Sequence, residues 1–187
     1  MNNLLTILGI FVVCFCEAQT IYSLRPTEIN LLNNSYEKDT NNELQAYEGI
    51  WRGEWNNKIF IITLKKITNK YDNDVKRYRD YLVGRFIVKD SNEHTLFDNI
   101  KSSDDQAKIQ GINFRRYGNK YSLIYNDPEL CHITGNIAIN FIDTVKTKLE
   151  WKYYQNSDWT DNDCFYHGLP QSQRPDPLPQ NIILTKQ

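Results

Sequence analysis

Across residues 145–153 the chain alternates without a break. Val145, Thr147, Leu149, Trp151 and Tyr153 are separated by Lys146, Lys148, Glu150 and Lys152. Side chains of a β-strand point in turn to opposite faces. Strict alternation of this length therefore predicts a strand with one face buried and the other in water. The same two-residue period returns along the chain. Phe60, Ile62 and Leu64 share a face within 59–67. Leu82, Gly84, Phe86 and Val88 do so within 81–89, and Ile137, Ile139 and Phe141 within 136–142.

Shorter apolar runs at 49–55, 94–97, 109–116, 121–125 and 181–186 add to these, and Gly118-Asn119 between two of them is a hairpin signal. The 12 Tyr and 4 Trp favour pleated surfaces. Eight or nine sequential strands joined by short turns predict an all-β fold. We expect an antiparallel up-and-down β-barrel or strongly bent sheet, with a two-sheet β-sandwich as the alternative. A turn of helix over 42–47, with Asn42 as its N-cap, would lead into the first strand.

The two ends of the chain read differently. Residues 4–16 form an apolar run of thirteen residues, too short to span a bilayer and suited to the core of a signal peptide. Cys16-Glu17-Ala18 places cleavage after Ala18. Cys14 follows Val13 and Cys16 follows Phe15, neither a lipobox, which argues against a lipoprotein. We therefore expect a secreted or periplasmic protein. Its parts would be a leader (1–18), an extended lead-in (19–42) and one β domain (43–187) carrying a long loop at 156–179.

Charge excludes one class of partner. The formal net charge is -1, and the first eighteen residues carry one acid, Glu17, and no base, so the rest is neutral. Such a chain has no global field to draw nucleic acid, and no second segment is apolar enough to span a membrane.

Beyond the leader only Cys131 and Cys164 remain, which in an exported chain most simply form one disulfide. His132 and His167 beside them raise a zinc reading. Adjacent Cys-His on extended chain points to opposite faces, so the disulfide reading is preferred. Asp158, Asp161 and Asp163 crowd one loop without EF-hand spacing and read as solvated acids. No metal, no cofactor and no catalytic residue is expected, because no nucleophile elbow, phosphate loop or zinc-protease motif occurs. The chain is read as a non-enzyme.

Trp51 and Trp55 are four apart and so on one face of a strand. Residues 44–51, Leu-Gln-Ala-Tyr-Glu-Gly-Ile-Trp, resemble the opening of lipocalin-like chains. That resemblance implies structural roles for Gly49 and Trp51, with the Trp plugging the closed end of a barrel. A wider likeness runs through residues 38–44, 48–51, 149–152 and 179–186. It resembles an uncharacterised family of small exported Bacteroidota proteins, and implies location and a single β domain but no activity. Asp143-Thr144-Val145 resembles an O-glycosylation signal of that group, though a plain hairpin turn is the simpler reading. The best functional expectation is a binding module for a small apolar or amphipathic ligand, held in an apolar barrel cavity of roughly 300 Å3 or more. Trp55, Trp159, Phe165 and Tyr166 are the candidate contacts. The alternative is a surface protein-interaction module using the 156–179 loop, and a hydrolase without recognisable motif ranks last.

Overall fold

The computed structural model describes residues 18–25, 30–156 and 162–187. Residues 1–17 of the expected leader therefore lie outside the described residues, and so do Asp158, Trp159 and Asp161. Eleven strands are present among the described residues: β1 (Ile21–Ser23), β2 (Tyr36–Lys38), β3 (Gly49–Trp55), β4 (Lys58–Asp72), β5 (Arg77–Asp90), β6 (Thr95–Asp98), β7 (Ile109–Phe114), β8 (Tyr121–Asp127), β9 (Ile133–Phe141), β10 (Lys148–Gln155) and β11 (Asn181–Lys186).

Eight of them close on themselves in the order β5-β4-β3-β11-β10-β9-β8-β7, with β7 returning to β5. Each neighbouring pair is antiparallel. Closure decides for the barrel over the sandwich. Two seams complete it, each of two residue pairs: Val83 with Gln110 and Gly84 with Ile109, then Thr185 with Arg52 and Lys186 with Trp51. Gly84 lets β7 approach, because a Cβ there would meet the Cβ of Ile109 at 3.1 Å.

The alternating residues face inward as their period predicts. Phe60, Ile62, Leu64, Leu82, Phe86, Val88, Ile137, Ile139, Leu149, Trp151 and Tyr153 are all buried. In β10 the prediction began too early, since the strand starts at Lys148 and Val145 is 74% exposed. The cause is Asp143. Its carboxylate accepts from the backbone N–H of Thr147 and Lys148 and from the Thr147 hydroxyl, and this closes a turn over residues that alternate only by composition. The turn reading of Asp143-Thr144-Val145 is the one the fold uses.

The lead-in joins the sheet. β1 pairs parallel with β2, and β2 pairs parallel with β5. Asp80 on β5 fixes the joint by accepting from the Tyr36 hydroxyl (2.6 Å) and from the backbone N–H of Asp39 and Asn69 (both 2.9 Å). The expected helical turn is a 3-10 turn at Leu44–Tyr47, but Asn42 does not cap it. Asn42 takes a left-handed φ of 53°, and buried Asp39 accepts from the N–H groups of Glu43 and Leu44 instead. This turn covers one barrel end, where Trp51 donates from Nε1 to the Tyr47 carbonyl at 2.8 Å. Gly49, with φ of 123°, carries the chain from the turn into β3.

Candidate functional site

Antiparallel order sends alternate connections to opposite ends of the barrel. One end collects the β4–β5, β7–β8 and β9–β10 turns together with the 3-10 turn. The other, here called the mouth, collects the β3–β4 hairpin, the β5–β7 connection with β6, the β8–β9 connection and the long loop before β11. Connections are where a rigid barrel carries recognition.

The barrel axis is occupied by its own side chains. Phe60 packs against Phe86 (5.8 Å between ring centroids) and Trp151 (5.2 Å), and Tyr125 contacts Phe86 (6.1 Å) and Tyr153 (5.9 Å). Trp51, Tyr47, Tyr121 and Phe141 continue the stack toward the closed end. An eight-stranded barrel is narrow enough for large rings to fill it. Among the described residues, the aromatic side chains that suggested a ligand cavity pack on one another along the axis. Concave space lies at both ends: about 330 Å3 at the closed end, beside Tyr47, Phe114 and Phe141, and more at the mouth.

Cys131 and Cys164 are bonded, with Cα atoms 5.5 Å apart, and tie the long loop to the β8–β9 connection. The bridge takes both sulfurs out of any metal site. Beyond it the loop runs over the mouth. Leu178 is fully buried beneath it, the Pro179 carbonyl accepts from Trp151 Nε1 at 2.8 Å, and the Gln180 carbonyl accepts from the Tyr153 N–H at 2.8 Å. Lys58 reaches Asp176 at 3.3 Å and lies 5.1 Å from the centre of the Trp55 ring.

Between the loop, the β3–β4 hairpin and β6 is a groove of about 850 Å3. Trp55, Leu96, Phe97 and Pro175 form its apolar part, and the remaining walls are polar, among them Asn56, Lys58, Arg174, Asp176 and Asn181. Trp55 and Phe97 are half-buried and back onto the core. Trp55 is thus placed where a contact is possible. Phe165 and Tyr166 are not on this groove. They contact each other edge to face at 5.2 Å, Tyr166 packs on the core, and Phe165 is 84% exposed. Trp159 lies outside the described residues.

A second cavity of about 190 Å3 adjoins the groove and shares Leu96 and Phe97 with it. Asn99, Lys108, Asp127 and Leu130 line it as well. Burial alone would lower the Lys108 ammonium, but hydrogen bonds and charge from Asp127 and Glu129 outweigh it and hold it above its ordinary value. Burial, and then the Asp127 carboxylate, push the Tyr125 phenol far up, so it stays a donor. The sequence reading missed Phe97, Asn99, Lys108 and Asp127. Three of them are polar residues in or beside connections, where no period marks them.

Among the described residues no group of three metal-binding side chains gathers, and no helix is long and apolar enough to cross a membrane. A disulfide is compatible with a secreted or periplasmic setting. The model of a protein family described as a family of unknown function (DUF6705) matches residues 1–187. A search of curated proteins and a search of solved structures each return no match.

Proposed function

The chain belongs to DUF6705, a family of unknown function, and on that premise we propose that it is an exported, non-enzymatic binding module whose ligand lies across the barrel mouth. The carrying observation is the groove in which Trp55 and Phe97 present half-buried rings among mostly polar walls. Half-buried rings backed by a packed core offer apolar contact at little entropic cost, and nearby polar groups fix orientation. That mixture suits an amphipathic ligand better than a wholly apolar one. The short turn and Trp51 at the opposite end support a lipocalin-like division into closed end and recognising end.

Native mass spectrometry of the protein recovered from its own cells tests this reading. A non-covalent adduct on the wild type that is lost in Trp55→Ala is the expected result. A bare wild-type chain, or an adduct indifferent to Trp55→Ala, overturns it.

Phe165 favours a second reading, a protein contact on the disulfide-anchored loop, because so large a ring is 84% exposed there. Cys164 is buried and bonded, so a point change is the suitable probe. Phe165→Ser should leave the melting temperature unchanged and abolish partner capture if this reading holds.

A further inference from the structure

The chain is close to neutral as a whole, but its cations are not evenly spread. Two turns stand side by side at the closed end of the barrel, residues 115–120 between β7 and β8 and residues 142–147 between β9 and β10. Asn119 of the first and Asp143, Thr144 and Lys146 of the second border one cleft of about 330 Å3, so the turns are neighbours. Together they carry Arg115, Arg116, Lys120 and Lys146 against a single carboxylate, Asp143. That carboxylate is already answered. Its Oδ1 accepts from the Thr147 and Lys148 N–H groups, and its Oδ2 from the Thr147 N–H and hydroxyl, which fills its acceptor positions. Lys120 lies 3.7 Å from Glu150, which it shares with Lys152. Arg115, Arg116 and Lys146 are exposed and join no ion pair among the described residues.

Large apolar side chains are exposed on the same two turns. Tyr117 is 83% exposed in the first, and Val145 is 74% and Ile142 47% exposed in the second. The cleft between the turns adds a further cation. Its floor is Tyr47, Phe114 and Phe141. The Arg25 guanidinium lies 4.0 Å from the centre of the Phe114 ring, and the Lys146 ammonium 5.6 Å from that of Phe141. Arg25 spends Nε on Glu43 at 2.9 Å and Nη1 on the Gly118 carbonyl at 3.4 Å, and its other N–H groups remain unspent. The β4–β5 turn at this end does not oppose the patch: Asp72 pairs with Arg79 at 2.8 Å, and Asp74 is offset by Lys76.

Unpaired cations around exposed apolar tips select the partner. A nucleic acid would answer the cations and leave the tips in water, and an uncharged protein surface would do the reverse. The boundary of an anionic bilayer answers both, because tyrosine and aliphatic groups enter the head-group layer while cations meet lipid phosphates. We propose that the closed end docks on an anionic lipid bilayer. Tyr117 and Val145 enter the head-group layer, Arg115 and Arg116 meet phosphates around them, and one phosphate sits at the rim of the cleft between Arg25 and Lys146. The mouth then faces water with its groove open, so this surface goes beyond the ligand reading and does not depend on it.

Co-sedimentation of the disulfide-intact protein with lipid vesicles tests this. Vesicles of equal parts phosphatidylglycerol and phosphatidylcholine should carry the protein down, and phosphatidylcholine alone should not. Binding should fall steeply as salt is raised from about 0.01 M to about 1 M, which shortens the screening length from about 30 Å to about 3 Å. Arg116→Gln and Lys146→Gln should each weaken binding roughly 5-fold, the worth of one charge at such a surface. Tyr117→Ser should weaken it as well and leave the melting temperature unchanged. Trp55→Ala, at the opposite end, should bind vesicles as the wild type does. No binding to the phosphatidylglycerol vesicles, equal binding to both kinds, or binding indifferent to the Arg116, Lys146 and Tyr117 changes overturns the proposal. Displacement by an excess of free glycerol 3-phosphate also overturns it and makes the cleft a site for a soluble phosphate. Vesicle binding lost in Trp55→Ala overturns it too, and moves the lipid contact to the mouth.

Discussion

Asp127 is 2% exposed and joins three donors from three places in the chain: Tyr125, Glu129 and Lys108. Removing one partner of a buried charge leaves the others uncompensated, and that costs more than the intact group contributes. Asp127→Ala should therefore lower the unfolding free energy by about 3–5 kcal/mol in a urea titration. Asp127→Asn, which still accepts through its carbonyl, should cost less. An equal loss for the two would show that packing rather than hydrogen bonding holds the site. Such residues were not legible in the sequence. Lys108 and Asp127 are nineteen positions apart, and what makes them a pair is the β7–β8 ladder that brings the Lys108 carbonyl to the Asn126 N–H at 2.9 Å. Trp55 was legible because its spacing from Trp51 is itself a strand period.

At the level of elements, side chains from outside the strands decide where several of them begin and end. Asp143 delays β10 by three residues relative to the alternation, and Asp39 takes over the cap that Asn42 was expected to supply. A period reports which face a residue would take if the strand reached it. It carries no information about a carboxylate that competes for the same backbone N–H groups. The lead-in depends on such a contact. Asp80→Ala should detach β2 from β5 and expose Lys38 to trypsin, with faster cleavage there under native conditions, whereas unchanged cleavage would mean that the short parallel ladder suffices. The long loop is held covalently. Closing 33 residues through Cys131–Cys164 stabilises by roughly 3–4 kcal/mol in the loop-entropy account. Cys131→Ala/Cys164→Ala should lose about that amount by chemical denaturation and retain the far-ultraviolet signature of the barrel. A loss of that signature would make the bridge a condition of folding.

For the molecule as a whole, the all-β class and the inward faces of the strands followed from periodicity and a barrel from the run of sequential strands, but which strands would close it did not. Nothing in the composition of β7 or β11 announces that β7 seals against β5 or β11 against β3, because each seam is only two residue pairs long. The filled interior was equally hidden, since a ring packed on its neighbours and a ring lining a cavity have the same sequence. That interior has a measurable signature in alkali. Burial comes first among the causes that raise the phenols of the core residues Tyr47, Tyr121, Tyr125 and Tyr153, and Tyr47 is pushed up to about 12. Above the ordinary tyrosine value of about 10 the unfolded chain releases protons that the native state retains, so stability is full below that pH and falls above it. Each such phenol contributes up to about 1.4 kcal/mol per pH unit, and the loss for Tyr47 is complete near pH 12. Tyrosinate absorbance should therefore rise in step with the loss of near-ultraviolet circular dichroism, and ionisation well before unfolding would contradict a filled interior. The seam between β3 and β11 also sets an order in time. A chain delivered from its N-terminus, whether by a ribosome or through a translocation pore, holds the opening strand of the ring early, but residues 181–186 that must lie beside that strand arrive after every other strand of the ring. Until then β3 and β10 each present an unpaired edge. Closure therefore waits for β11, and a chain stalled before residue 181 is an open sheet exposed to chaperone, protease or another such edge.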